Sequence, residues 1–421
     1  MKILVYAHQL EVGGTQTNAI ELAAALRDFH GHEVVMFATP GPMVELIQKK
    51  GLRYLPAPDG YLCPSPARMK ALRRAVRAER PDLIHAWDWW QCLDAYYGEH
   101  LLRRIPLVVT DMMMVLTRIL PKRLLTTFGV PELVDQARAA GRRAELLLPP
   151  VDTRLNAPGA VEVREFRERY RIKDDELTLV TVCRLENYMK GESLRRTIAA
   201  VRELGRELPL RLMIVGDGVA RAELEQSAAQ VNAELGRSAV VLTGAMLDPR
   251  PAYELADVVV GMGGSALRGM AFGKAVLIVG EQGFSLPFSP ETADSFYYRG
   301  IYGTGDGDPE NRRHIENLRR LAGDHEALRR LGDFARRFVL QHFALETVAA
   351  RLDSYFKAAV DSGVRRHTAA VDGLRTAAIW LRERRMISYR FWQRVKRPHA
   401  KSGHGGVSPQ VVGLRQQTKA C

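Results

Sequence analysis

The chain reads as an α/β protein of two doubly wound, Rossmann-like parallel sheets facing a central cleft. Three observations predict this. Short β-branched runs alternate with longer amphipathic stretches along most of the sequence, the pattern of strands joined by crossover helices. At 421 residues the chain exceeds one ordinary core, so two domains are expected. A seam rich in Pro, Gly, Asn and Asp, from Pro149-Pro150-Val151-Asp152 to Ala160, separates two similar halves. Ligands of such sheets sit beyond the carboxyl ends of the strands, on loops facing the cleft.

In the first half the strands fall at 3–7, 33–37, 83–86, 107–110 and 145–148, with helices at 16–27, 43–50 and 67–78 between them. The first run meets His8 and Gln9 too soon for a signal peptide and reads as a buried strand. In the second half the strands fall at 177–182, 211–215, 240–243, 257–260 and 275–279. Helices at 194–204, 220–235, 251–255 and 265–272 connect them. Residues 334–358 then carry a strong helical pattern through Phe338, Phe343, Val348, Leu352 and Tyr355.

Hydrophobic content of 46% and charged content of 26% are those of a soluble globular protein. No apolar run approaches the ~18–20 residues that span a bilayer. Cys63, Cys92, Cys183 and Cys421 have neither metal spacing nor a disulfide pattern and fit a reducing cytoplasm. Of the net charge of +13, residues 361–421 hold +10, from 13 Lys and Arg against 3 Asp and Glu. The body is nearly balanced, and the basic character belongs to the tail.

Most of the chemistry lies in Val182-Cys183-Arg184-Leu185-Glu186-Asn187-Tyr188-Met189-Lys190-Gly191. An Arg at the exit of a buried strand and a Lys at the mouth of the next helix can flank one anion. A diphosphate suits them, because Arg grips two oxygens while Lys supplies a compact point charge. A surface Arg and Lys beside a loop is the competing reading. Gly13-Gly14-Thr15 opens the first helix, where glycine admits a ligand to the backbone or simply makes a tight turn. Gly216, in Val215-Gly216-Asp217-Gly218, permits a sharp strand-to-helix turn.

In Val260-Gly261-Met262-Gly263-Gly264-Ser265-Ala266-Leu267-Arg268 a strand runs into glycines and then a helix. Backbone N–H groups from Gly263 to Leu267 are thereby expected to converge on an anion. Gly261, Gly263 and Ala266 also satisfy a dinucleotide fingerprint, with Glu281 about twenty residues on. An NAD(P) oxidoreductase is therefore a competing class, although the fingerprint normally occupies the first strand of its domain. His85, Trp87 and Asp88 sit where a strand exits into the cleft, as an aromatic shelf for a sugar or as core packing. Glu281 follows the last strand and suits hydroxyl recognition or a loop turn. The loop from Gly244 to Pro249 is placed to meet a base.

Together these residues resemble the retaining two-domain glycosyltransferases of the large family 4 (glycosyl transferases group 1) class, which use the GT-B fold. The resemblance runs from Met1 to about Tyr355. It rests on Gly13-Gly14, Pro81-Asp82-Leu83-Ile84-His85-Ala86-Trp87-Asp88-Trp89, Pro149-Pro150-Val151-Asp152 and Arg184 through Lys190-Gly191. Val215-Gly216-Asp217-Gly218, Ala256-Asp257-Val258 and Met270-Ala271-Phe272-Gly273-Lys274 complete it. It implies an acceptor domain over 1–152, with Gly13, Gly14, Thr15, His85, Trp87, Asp88 and Asp111 on the acceptor side. It implies a nucleotide-sugar domain over 153–333 and helices crossing back to the first domain over 334–360. The implied reaction is metal-independent sugar transfer with retention, in glycan, glycolipid or metabolite biosynthesis. A nucleoside-diphosphate sugar is the co-substrate, with no other cofactor, and Arg184 and Lys190 neutralise the departing diphosphate. Gly263, Gly264, Ser265, Ala266, Leu267, Arg268, Gly216, Gly244 and Glu281 would line the donor.

The sequence departs from the family twice. Arg268 stands where the second Glu of a Glu-x7-Glu pair would hold the ribose, and the short glycine loop offers no first Glu. No His follows the strand ending at Thr110; Asp111 stands there, as a polar contact for the sugar or as a cap. A non-catalytic nucleotide-sugar-binding protein is therefore the third reading.

The tail, 361–421, is expected to be partly helical and partly disordered. Leu374, Ala378, Leu381, Trp392 and Val395 recur near helical spacing among many arginines. A basic amphipathic helix of this kind is drawn to an anionic membrane surface, here through 364–397, unless it packs on the body. Nucleic acid is the disfavoured partner, since no recognition module accompanies the charge.

Overall fold

The computed structural model describes residues 1–60, 62–187 and 189–395, with the backbone alone for 384–395. The first lobe comprises β1 (Lys2–Tyr6), α1 (Gly14–His30), β2 (Glu33–Ala38), α2 (Val44–Lys49), β3 (Arg53–Pro56), α3 (Pro66–Glu79) and β4 (Leu83–Trp87). It continues through α4 (Asp88–Ala95), a π-helical turn (Tyr96–His100), α5 (Leu101–Arg103), β5 (Leu107–Asp111), β6 (Leu125–Phe128), α6 (Pro131–Ala139) and β7 (Ala144–Leu146). The second lobe begins with α7 (Arg164–Tyr170), β8 (Leu177–Val182), α8 (Lys190–Leu204), β9 (Leu210–Val215), α9 (Arg221–Leu235) and β10 (Val240–Gly244). Then come α10 (Arg250–Leu255), β11 (Val258–Gly261), α11 (Gly264–Ala271), β12 (Ala275–Val279), β13 (Ser285–Pro287), α12 (Pro290–Arg299), α13 (Arg312–Ala322) and α14 (His325–His342). Two further helices, α15 (Leu345–Ser362) and α16 (Arg366–Val395), end the described chain.

The strands order as β3-β2-β1-β4-β5-β6-β7 and β10-β9-β8-β11-β12-β13. All pairs are parallel except the one made by β13. Central strands such as β4 and β5 are buried at every residue, as parallel strands covered on both faces must be. In each sheet the strand order reverses beside the first strand, between β1 and β4 and between β8 and β11. That is where a crevice opens for ligands. Gly13-Gly14 follow β1, Asp88 follows β4, Arg184 follows β8 and Gly263 follows β11, so the sequence motifs gather at the two switch points.

Three strands escaped the sequence reading: β3, β6 and β13. Each has only three or four residues, too few to establish a period. The expected crossing-back segment, 334–360, divides in the structure. Helix α14 packs on α11 and β12 of the second lobe, whereas α15 packs on α1 and β5 of the first. The chain crosses at Phe343–Leu345, where the Val151 N–H donates to Phe343 O (2.8 Å) and the Leu345 N–H to Val151 O (2.9 Å).

The basic tail starts as a docked helix. Tyr96 and Tyr97 hydroxyls donate to the Ala369 and Gly373 carbonyls at 2.7 and 2.8 Å. Asp372 accepts the Lys122 and Arg123 N–H groups at 2.9 and 2.7 Å. The side chains of Trp392 and Val395, and all of 396–421, lie outside the described residues.

Candidate functional site

Arg184 is held by two strand exits that run on side by side. The Cys183 N–H donates to Val215 O (3.0 Å) and the Leu185 N–H to Asp217 O (2.9 Å). Gly216 makes this possible: its φ is 151°, and a Cβ there would lie 1.8 Å from Cys183 O. Only glycine allows this close backbone approach, which supports Arg184. Gly244, with φ 82°, accepts the Gly216 N–H at 2.9 Å and buttresses the same exit.

From this ledge the Arg184 guanidinium spans the cleft. Its Nη2 donates to the Val12 carbonyl, and Nη1 lies 3.7 Å from Glu186. A Cβ on Gly13 would sit 3.3 Å from that Nη2. Arg184 and the Gly13-Gly14 turn are thus brought together, one from each lobe. Gly14 faces open space, Thr15 is half-buried, and the first turn of α1 holds no acidic side chain. The N-terminus of α1 is therefore free of a competing carboxylate.

Lys190 is the first residue of α8. Burial pushes the Cys183 thiol up to about 11, and the Lys190 charge pulls in the opposite direction. Lys190 opens the helix that follows the strand exit carrying Arg184. Among the described residues it has no ion pair, leaving its charge available to a ligand.

Glu192, one turn into α8, was not singled out by the sequence reading. It accepts the Gln282 and Gly283 N–H groups, both at 2.9 Å, and Arg196 Nε at 2.8 Å. Burial alone would raise its carboxyl; Arg196 and the two N–H groups outweigh that and leave it lowered. This clamp ties the turn after Glu281 to the helix that begins with Lys190. Glu281 is itself half-buried, and its N–H donates to Gly303 O at 3.0 Å. The spacing of Glu192 from a turn ninety residues away left no local signal.

The glycine turn before α11 supplies fewer donors than expected. The Gly263 N–H donates to Ile301 O (2.7 Å) and the Leu267 N–H to Gly263 O (3.0 Å). Neither is free for an anion, because helical bonding and the following loop consume them. Gly264, Ser265 and Ala266 remain as the open first turn. The Ala266 and Leu267 side chains are buried in the core. Ser265 Oγ accepts from the Tyr253 hydroxyl (3.1 Å). Arg268 folds back with Nη1 donating to Gly264 O (3.3 Å) and holds Nη2 3.7 Å from Glu21 of α1. It is a second cation at the α11 start that touches the opposite lobe.

The aromatic shelf does not form. His85 is 1% exposed, with Nε2 2.7 Å from Thr110 Oγ1 and its ring against Trp87 and Phe356. Burial drives its pKa down to about 3, so it is neutral. Trp87 is 0% exposed, in the core with α1 and α15. In a strand covered on both faces neither side is available to a ligand. Asp88 follows β4 and Asp111 ends β5, but their carboxyls are also buried, at 4% and 0% exposure. Asp111 Oδ1 accepts the Met113 N–H (3.1 Å), so it caps its own turn. Burial raises Asp88 to about 6, while burial and then the Asp88 charge raise Asp111 to about 7.

Two family models match adjoining stretches of the chain. Glycosyltransferase Family 4 covers residues 12–180, and Glycosyl transferases group 1 covers 176–286. They meet within β8: the first takes in the first lobe from residue 12 with the linker and α7, and the second lies in the second lobe. The fold is similar to that of a glycosyltransferase from Rickettsia africae ESF-5, with a TM-score of 0.67 and 14% identity over 85% of this chain and 98% of that one. Anabaena Alr3699/HepE in complex with UDP-glucose gives a TM-score of 0.64 and 16% identity over 85% and 100%. WaaG, a glycosyltransferase involved in lipopolysaccharide biosynthesis, gives 0.59 and 14% over 85% and 99%. At these identities the likeness is one of fold. No curated protein matches the chain.

Two facing sheets, matched in turn by these family models, define a GT-B glycosyltransferase, and this chain is one. The dinucleotide reading of Gly261-x-Gly263-x-x-Ala266 accordingly falls. The fingerprint lies on β11, the fourth strand of its lobe, inside the region matched by the group 1 model.

Proposed function

We propose that the chain moves a sugar, with retention, from a nucleoside-diphosphate sugar to an acceptor hydroxyl, using charge from its own side chains and no metal. The bond from the anomeric carbon to the diphosphate breaks. The acceptor oxygen bonds that carbon from the same face, and its proton passes to the departing phosphate oxygen. Arg184 and Lys190 neutralise the diphosphate, and the open N–H groups of Gly264, Ser265 and Ala266 add to its field. Preorganised charge of this kind is commonly the largest part of catalysis. Arg268 offers a further phosphate contact where the resemblance implies a carboxylate, and Glu281 faces the donor sugar.

The observation that carries this reading is the placement of Arg184. It stands at the switch point of one lobe and reaches the glycine turn at the switch point of the other. Solved structures of similar fold are titled as complexes with UDP and UDP-glucose, which makes a UDP-sugar the first donor to try. We place the reaction in glycan, glycolipid or glycosylated metabolite biosynthesis in the cytoplasm. Among the described residues no helix is long and apolar enough to cross a membrane, and an anionic membrane surface is proposed as a peripheral partner.

The test begins with thermal-shift screening of UDP-, GDP-, ADP- and TDP-sugars, followed by nucleoside-diphosphate release with the best donor. Lys190→Ala should lower turnover on the order of 100-fold, about 3 kcal/mol, by analogy with losing one oxyanion donor. Turnover like that of the wild type at saturating donor would remove Lys190 from the mechanism. Donor binding with no release for any acceptor would make the chain a sensor.

A further inference from the structure

Helix α16 has two unlike faces. The side set on the first lobe is formed by Ala369, Asp372, Gly373 and Thr376, all buried. On the opposite side Val371, Leu374, Ala378 and Leu381 recur at spacings of three and four, which align them in one stripe. Val371, Leu374 and Leu381 are 55%, 75% and 58% exposed. Leu102, on the α5 helix that α16 packs against, adds another aliphatic side chain at 60% exposure. Helical geometry sets Arg382 on one border of the stripe; Arg375 on the same border turns inward, its Nη1 3.6 Å from Asp372. Aliphatic groups aligned this way on an otherwise docked helix mark an interaction face.

Charge and length choose the occupant. A second copy would bring together two tails that each hold 13 Lys and Arg against 3 Asp and Glu, and they would repel. The three-and-four spacing also ends at Leu381, since Arg385 and Ser388 hold the next two positions. That is too short for a coiled-coil seam. An anionic lipid surface accepts the aliphatic stripe and attracts its basic border together.

The helix also has a direction. It starts near the amino ends of β5 and β6, where Thr368 shares a cavity of about 600 Å³ with Pro106, Leu107 and Leu125. One turn on, Asp372 accepts the Lys122 and Arg123 N–H groups, in the loop that leaves β5 and leads into β6. Met114 and Val115 in that loop are 39% and 36% exposed.

We infer that the outer face of α16, with Val371, Leu374, Ala378 and Leu381, docks the first lobe on an anionic bilayer surface. This deepens the proposed function in one respect: an acceptor held in that bilayer meets the lobe assigned to bind it. The docking itself needs neither donor nor turnover.

Full-length protein is sedimented with phosphatidylcholine vesicles, with and without phosphatidylglycerol, at low and high salt, and donor-dependent release is measured on the same preparation. Anionic vesicles should bind it about tenfold more than neutral ones, and salt should weaken binding. Leu374→Glu with Leu381→Glu should cut binding about tenfold while leaving the circular-dichroism melting curve and the release rate in solution unchanged. Wild type left in the supernatant, equal binding to both vesicle types, or equal binding by the double variant overturns the inference. So does a wild-type dimer, seen by light scattering, that the double variant turns into a monomer. Failure of release alone overturns the proposed reaction and leaves the docking result standing.

Discussion

Asp88 and Asp111 show how much a residue's meaning depends on what folds over it. Both were legible as polar groups at strand ends, but their neighbours in sequence could not say that the following loop would bury them. Burial makes ionisation costly, so the folded chain holds its protons to higher pH than the unfolded one. Between the unfolded value near 4 and the folded value of about 7 for Asp111, the folded state binds more protons, and stability falls as pH rises. Asp111→Asn cannot ionise and keeps the Oδ1 that accepts the Met113 N–H. It should be more stable than wild type at pH 8 and should lose that advantage at pH 4. Urea unfolding at both pH values checks this; a variant less stable than wild type at pH 8 would contradict the burial argument. Arg184 was readable because an Arg at a strand exit beside glycine carries its chemistry in its local sequence. Glu192 was not, because its partners arrive from another part of the chain.

Among the elements, the buried strands and long helices announced themselves by composition and period. The short strands β3, β6 and β13 did not, and within 334–360 only α15 packs on the first lobe. Helix α15 belongs to the first lobe by packing, although it follows the second lobe in sequence. Phe356, fully buried with its ring centroid 5.0 Å from that of His85, closes the core beneath β4. Phe356→Ala should cost about 3–5 kcal/mol by leaving a cavity there. Denaturant unfolding should show the loss, and a cost below about 1 kcal/mol would mean that α15 is not a structural member of that lobe. The same placement explains the error over His85 and Trp87. A strand's exit suggests a site only when no later helix covers that face, and α15 is remote in sequence.

At the scale of the molecule, two lobes meet through contacts of several kinds. Arg184 reaches Val12 O, Arg268 approaches Glu21, and the Tyr298 hydroxyl donates to Asp135 at 3.0 Å. The two-lobe plan followed from length, alternation and the Pro-rich seam; which side chains bridge the gap required the three-dimensional arrangement. If cationic side chains supply the charge for the departing diphosphate, transfer with EDTA present should stay within about twofold of its rate without chelator. A collapse of activity that magnesium or manganese restores would return that role to a metal.

The bridge to Val12 has a genetic corollary. Its acceptor is a main-chain carbonyl, a group that every amino acid carries, so codon changes at position 12 leave the tether's oxygen in place. Position 184 is vulnerable to mutation, and so are Gly216 and Gly13, which leave room for its reach. A family of natural variants could therefore drift freely at one end while the other end stays fixed.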